Sequence, residues 1–432
     1  MATAALNTSI ALRERYKRVR QRSLQLCESL TPEDMMVQSC PEASPAKWHI
    51  AHTSWFFESF VLSEFLHGYE VFNQNFPWLF NSYYQSFAEF PDKRLRASFS
   101  RPALADILRY RRHVDDALDR LLEGDAPEEA LRRVELGLHH EEQHQELLLT
   151  DIKHALFTNP LQPAYLEDSP AKAAVPSSVM PMQFLRHKGG LVETGSGEAG
   201  FSFDNERPRH RVWLEPFRIA SRLVTCAEFA EFIADGGYSR PELWLSVGWT
   251  TVQEQKWTAP LYWRKQEESW SIFTMRGVKS LADLRDTPVA HVSYFEADAY
   301  AHWAGKRLPT EAEWEVVAAE LPVEGNLLDA ARFGTAALSG SEILSSADRE
   351  GCRPTQMYGD CWEWTASAYL GYPGFQPLAG SLGEYNGKFM SGQMILRGGS
   401  CATPADHIRA SYRNFFSPET RWQFSGIRLA SS

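Results

Sequence analysis

The residues best equipped for chemistry are histidines. The stretch LHHEEQHQELLLTDIKH sets His140 and His144 four positions apart. On a helix, two such rings project from one face about one turn apart and can share a metal ion. A second stretch, WHIAHTSWFF, adds His49 and His52 among tryptophan and phenylalanine. Three neutral imidazoles without a thiolate or carboxylate leave positions open on a divalent metal, and imidazole suits zinc, copper, iron and nickel alike. His139 lies about 100° round the helix from this face and is set aside. Two other readings stand beside the metal site. One is an ordinary solvated histidine pair. The other is a zinc peptidase, because His140-Glu141-Glu142-Gln143-His144 spells H-E-x-x-H with Glu141 as its would-be base. The longer peptidase pattern needs a glycine and a third histidine soon afterwards, and residues 145–150 hold neither. A further ligand would have to come from Glu146 or Glu167.

These side chains need helices to hold them. Residues from about 8 to 158 carry helical punctuation. Residues 7–9 can cap a first helix, and Ser44-Pro45 opens a second through Trp48, His52, Trp55, Phe56 and Phe60. Ser100 and Pro102 open a third that stops at Gly124. Pro127 opens a fourth, from 128 to about 157, stopped by Asn159-Pro160. Four long helices predict a four-helix bundle, whose facing helices are where metal sites are built. The connection at about 67–99 is long and aromatic, and loops of that length are usually functional. Residues 159–181 are rich in Pro, Ala and Ser and read as a linker. Beyond them, short β-like runs at 183–185, 211–213 and 217–219 alternate with turns. Few helices follow, near 226–234, near 294–304, and one opened by Thr310-Glu311-Ala312-Glu313, a capping box. The fold class expected is α+β and multidomain: a bundle over 8–158, a linker over 159–181 and an irregular α+β domain over 182–432.

Composition narrows the function. The chain has 432 residues, 44% hydrophobic and 23% charged, which suits a globular protein of two or three domains. Lys+Arg 44 against Asp+Glu 55 gives a net charge of −11, the opposite of a nucleic-acid binder's balance. No run approaches the roughly 18 apolar residues of a membrane span. The N-terminus lacks a signal peptide's order of basic then apolar residues. Six cysteines lie far apart with no CxxC pair. A reduced, cytoplasmic protein acting on small molecules is expected. Aromatic residues reach 12%, with 14 Trp, enough to wall a pocket as well as fill cores.

Taken together, the motifs resemble a known family. SPAKWHIAH, NSYYQ and HHEEQHQELLLTDIKH look like the DinB-like bundle of the ergothioneine-biosynthesis sulfoxide synthases. RLPTEAEWE, GDCWEWTAS, LRGGS and RASYRNFF…RWQFSGIRLA look like their C-terminal domain, which is similar to formylglycine-generating enzymes and has a C-type-lectin-like fold. The resemblance spans roughly 10–430. It implies a non-haem iron(II) enzyme that uses O2 to join a cysteine-derived thiol to C2 of the imidazole of hercynine (Nα-trimethylhistidine) as a sulfoxide. By motif position it implies His52, His140 and His144 as metal ligands, with His49 at a non-ligand position. Formylglycine-generating enzymes proper use two cysteines after the GGS. Thr403 and Ile408 stand at those positions here, and Cys401 reads as a buried small hydrophobe.

The same resemblance assigns the remaining roles. Tyr83 and Tyr84 would supply a phenol able to give a proton. Gln143 would contact the hercynine imidazole. Arg96, and next Arg94, would hold the thiol substrate's carboxylate, which suits an arginine fork. Asn414 would bind hercynine's carboxylate, and Phe415 and Phe416 would face its trimethylammonium. Relatives that take γ-glutamylcysteine read Asn-Trp-Asp in that stretch. The missing acid, with the Tyr pair, implies free cysteine as co-substrate. A C5-histidylcysteine sulfoxide synthase of the ovothiol route shares both domains, and a non-catalytic ligand-binding protein is the bland alternative. Trp314, Trp362, Trp364, Arg397 and Arg428 read as core of the second domain.

Overall fold

Every residue of the helix Ala46–Phe57 is buried, because AKWHIAHTSWFF carries large or apolar side chains on all faces. The computed structural model describes residues 2–87, 89–167, 181–267, 269–338 and 353–432. Most of the stretch read as a linker, and Cys352, lie outside the described residues. The chain forms two compact units. The first comprises Met1–Leu161 and Ala379–Tyr385, the second Gln162–Leu378 and Asn386–Ser432.

The first unit is built on four long helices: α1 (Ala2–Gln25), α2 (Ala46–Phe57), α3 (Leu104–Glu123) and α4 (Glu128–Thr158). The first helix is already formed at Ala2, so residues 7–9 do not start it. α2 packs on α3 and α4, and α1 packs on the same two helices. The residue that caps α2 is Pro45, not Ser44. Ser44 stands outside the helix and gives its amide to Asp151 Oδ2 at 2.8 Å. Beyond Phe57 the chain continues as a π turn, Glu58–Leu62. The buried Glu58 carboxylate accepts from Tyr69 Oη (2.7 Å), Tyr110 Oη (2.7 Å) and the Phe72 amide (3.1 Å), which pins the start of the long connection.

α4 can approach α2 closely only because position 137 is glycine. A Cβ there would lie 2.5 Å from Phe57 Cε1 and 2.9 Å from Phe56 Cε1, inside contact distance. Gly137 is one turn before His140 on α4, so this close passage delivers the histidine face of α4 to that of α2.

Among the described residues the second unit contains twelve short strands. β1 (Phe184–His187) and β12 (Ala430–Ser431) flank β4 (Phe217–Ala220), and β2 (Gly190–Thr194) pairs with β3 (His210–Leu214). β5 (Trp263–Gln266), β6 (Ser269–Thr274) and β7 (Gly277–Ser280) form a meander. The fourth sheet runs β10 (Asn414–Phe416), β9 (Met394–Arg397), β8 (Trp362–Ala368), β11 (Ser425–Gly426). Its longer helices are α5 (Cys226–Ala234), α6 (Ser246–Gln255), α7 (Tyr294–Trp303) and α8 (Glu311–Ala318); α6 carries no clear periodic signal and is absent from the sequence reading. The capping box at α8 is formed, with Thr310 N on Glu313 Oε2 at 2.8 Å and Glu313 N on Thr310 Oγ1 at 3.2 Å. Trp314, Trp362, Trp364, Arg397 and Arg428 are buried. Arg428 forks onto Glu363 (2.8 and 2.9 Å), which also accepts from Trp314 Nε1 at 2.7 Å. A buried charge so fully paired is structural. Cys401 is buried too. No described helix is long and apolar enough to cross a membrane.

Candidate metal centre

His52 on α2 and His140 and His144 on α4 each direct one ring nitrogen into a cluster whose atoms lie within 4.8 Å of one another. The ring centroids are 5.0 Å apart for His52–His140, 4.7 Å for His52–His144 and 4.6 Å for His140–His144. Nε2 of His52 and both ring nitrogens of His140 are buried with no hydrogen-bond partner among the described residues. Unsatisfied buried polar atoms are costly, and several converging on one point mark a place for a group that accepts their lone pairs.

Helical spacing explains how His52 is held. Trp48 and Trp55, four residues before it and three after, stack on its two faces at 4.4 and 5.2 Å with interplanar angles of 13°. Its Nδ1 donates to the Phe80 carbonyl at 2.6 Å, an acceptor only, so Nε2 keeps the lone pair that faces the cluster. Phe56 packs over His140 at 4.7 Å. Burial makes all three rings poor bases: His140 is pulled down to about 3, and His52 and His144 lie well below the ordinary imidazole value. Neutral imidazoles are the form that binds a metal. Three soft-to-borderline nitrogen donors with no carboxylate fit a first-row transition metal.

Glu141 disposes of the peptidase reading. Its side chain leaves the cluster and lies buried between Arg20 (2.9 Å), Arg111 (2.6 Å) and Ser23 (2.6 Å). Burial alone would raise its pKa, but Arg111, Arg20 and the serine hydroxyl overcome it and hold the carboxyl at about 2. Such a group is a structural anion and no general base. His139 points away likewise, toward Arg15 and Glu142.

The two arginine candidates part company. Asp92 caps the 3-10 turn Lys93–Ser98 and accepts from the Arg94 amide at 2.9 Å. At about 120° per residue, Arg94 and Arg96 point in different directions. Arg94 is exposed and ion-paired with Asp92, so it is not brought to the histidines. Arg96 is buried, lies 3.4 Å over the Trp48 ring, and spends its donors on two hydroxyls, Ser44 Oγ at 2.8 Å and Ser82 Oγ at 3.1 Å. Burial pulls its guanidinium down to about 9. No carboxylate among the described residues pairs with it, which leaves a buried cation suited to an incoming anion.

Tyr83 and Tyr84 stack on each other at 4.6 Å, and Tyr84 is buried against Trp55 (5.6 Å) and Phe60 (5.2 Å). Burial raises both phenols, so both hold their protons at neutral pH. A third phenol is absent from the sequence reading. Tyr385 packs on the His140 ring at 5.8 Å and lies 6.4 Å from Tyr83, and its hydroxyl donates to Gln143 Oε1. Glu384 beside it accepts from the Gln85 and Ser86 amides at 3.1 and 2.8 Å. Asn414, Phe415 and Phe416 form β10 of the second unit and are half-buried. There Phe415 stacks on Tyr369 at 4.0 Å and Asn414 Oδ1 accepts from the Phe415 amide at 2.9 Å.

Comparison with known proteins agrees with this architecture. Residues 15–148 match the family model of the DinB superfamily, and residues 172–342 and 343–432 match that of the sulfatase-modifying factor enzyme 1-like domain. A hercynine oxygenase of Mycolicibacterium smegmatis is 32% identical over 95% of this chain and 96% of its own. That of Mycolicibacterium thermoresistibile is 36% identical over 73% of this chain and 71% of its own. A formylglycine-generating enzyme of Streptomyces coelicolor is 29% identical over 61% of this chain. A DinB-like helical domain bearing a buried histidine cluster, joined to a sulfatase-modifying-factor-like domain and alike in sequence along nearly its whole length, places this chain in the hercynine oxygenase family of oxidoreductases.

Proposed function

We propose that the chain is a non-haem iron(II), O2-dependent sulfoxide synthase that joins L-cysteine, through sulfur, to C2 of the imidazole of hercynine. The balance is thiol plus imidazole C–H plus O2 giving hercynylcysteine sulfoxide plus water. One oxygen atom goes to sulfur, the other leaves as water with the hydrogens of S–H and C–H. The observation that carries this reading is the convergence of three neutral imidazoles, two buried and His144 half-buried, whose inward nitrogens include orphaned ones. His52, His140 and His144 would hold the iron, which when bound supplies the one-electron and O2 chemistry and binds the thiolate.

The protein's own groups do the rest. Arg96, a buried cation whose hydrogen bonds among the described residues go to hydroxyls, takes the carboxylate of cysteine. Trp48 lies between Arg96 and His52 and packs on both. Tyr385 holds a proton at its hydroxyl oxygen beside His140 and can pass it to a reduced-oxygen species. Gln143, its hydrogen-bond acceptor, is the residue proposed to meet the hercynine imidazole. Tyr83 and Tyr84 shield this face and are the alternative proton donors. Asn414, Phe415 and Phe416 are proposed for the betaine end of hercynine.

The test supplies hercynine, cysteine, Fe(II) and air, and follows O2 uptake with product mass. Hercynylcysteine sulfoxide formed one per O2 is expected. Faster turnover with γ-glutamylcysteine would reassign the thiol, and a C5 adduct of histidine would reassign the acceptor. Absence of O2 uptake with every pair would overturn the reading.

A further inference from the structure

Behind His144, on the side away from the cluster, lies a chain of two more buried groups. His144 Nδ1 is 2.8 Å from His49 Nδ1, and His49 Nε2 is 3.0 Å from Asp151 Oδ2. His49 is 3% exposed and Asp151 6%. Asp151 Oδ2 is anchored in turn by the Ser44 amide at 2.8 Å. All four residues belong to α2, α4 or the residue pair that leads into α2.

We propose that His49 and Asp151 are positioning residues that set the tautomer of His144, so that its Nε2 lone pair is the one offered to the metal. This rests on the reading of the three histidines as a metal centre. The logic is donor counting. An ionised carboxylate only accepts, so His49 must carry its proton on Nε2. A neutral His49 then has a bare Nδ1, and the short Nδ1–Nδ1 pair needs one proton, which must come from His144. His144 is therefore protonated on Nδ1 and bare on Nε2. If Asp151 were replaced by a group that donates, the whole chain would reverse, and His144 would present an N–H to the cluster. His52 reaches the same end by a different partner, the Phe80 carbonyl. His140 has no such partner on either nitrogen among the described residues, so its orientation depends on packing and on the metal. Hydrogen-bond partners behind a histidine ligand commonly orient it and strengthen its donation.

The experiment uses the full chain with 15N-labelled histidine, first without metal. Long-range proton–nitrogen correlation spectra should show His144 as the Nδ1–H tautomer. In His49→Leu, a mixture or the Nε2–H form should appear. In His49→Gln, whose amide oxygen can accept from His144 and whose N–H can donate to Asp151, the Nδ1–H form should return. Titration with Co(II), read by its visible d–d bands, should weaken about 10- to 100-fold in His49→Leu and recover in His49→Gln. An Nε2–H His144 in the unsubstituted protein would overturn the proposal, as would wild-type Co(II) affinity in a folded His49→Leu. Should the tautomers follow the pattern while no variant binds Co(II), the metal reading falls and the tautomer assignment stands.

Discussion

The hydroxyl of Tyr385 donates to the side-chain oxygen of Gln143, a residue 242 positions earlier in the chain. Gln143 sits immediately before His144, and Tyr385 also rests on the ring of His140, so one phenol touches the histidine helix at two points. Replacing Tyr385 with Phe removes the proton and keeps the ring. Sulfoxide formation should fall about 10²-fold, while Co(II) affinity stays within a few-fold. Product mass and O2 uptake, measured together, check it; an unchanged rate would move the proton donor to Tyr83 or Tyr84.

Arg96 and Arg94 give a matched pair. A hydrogen bond to a charged group contributes about 1.5–3 kcal/mol, so Arg96→Ala should raise the KM for cysteine about 10- to 100-fold. The KM for hercynine should change much less. Arg94 is exposed and, among the described residues, ion-paired with Asp92, so Arg94→Ala should leave both constants unaltered. Steady-state kinetics in each substrate decides.

Gly137→Ala probes the passage of α4 across α2. The added methyl would strike Phe57 and Phe56, and overpacking of this kind costs about 1–3 kcal/mol. A lower thermal midpoint together with weaker metal binding is expected, since the same contact spaces His140 from His52. Loss of stability with metal affinity intact would show that the two helices can move apart without disturbing the ligands.

Glu141→Gln separates structure from catalysis. Arg111 would lose its carboxylate partner while Arg20 keeps Asp115 at 2.7 Å, and breaking a buried pair in this way typically costs about 3–5 kcal/mol. The variant should melt much earlier, and whatever remains folded should turn over normally. A stable but inactive variant would restore Glu141 as a catalytic group.

The buried histidines predict acid lability of the metal-free protein. Unfolded imidazole titrates near its ordinary value of 6.5, whereas folded His140 stays neutral down to about 3. Between those values the unfolded state binds the extra proton, so stability is full above 6.5 and declines as pH falls, by up to about 1.4 kcal/mol per pH unit for this one residue. His52 and His144 shift in the same direction. Metal should oppose the loss. Thermal melts at pH 7.5 and 5.5, with and without Co(II), test both statements; equal midpoints in the metal-free samples would contradict them.

What the order of amino acids determined alone is local. A spacing of four put His140 and His144 on one face of a helix, Asn159-Pro160 ended that helix, and the Thr310–Glu313 capping box started another, because each depends only on backbone geometry within one or two turns. The same locality explains the errors. Ser44 looks like a helix cap, yet its amide and hydroxyl go to Asp151 and Arg96, partners that only the folded chain supplies. Arg94 and Arg96 are equivalent in composition and opposite in environment, since a two-residue step on a 3-10 turn swings the side chain about 120° to another face. Which histidine of α2 turns into the cluster, that His144 Nδ1 meets His49, and that Tyr385 joins them were decided by tertiary packing. Each requires groups tens to hundreds of residues apart to come within a few ångströms, and no periodicity in the chain encodes that distance.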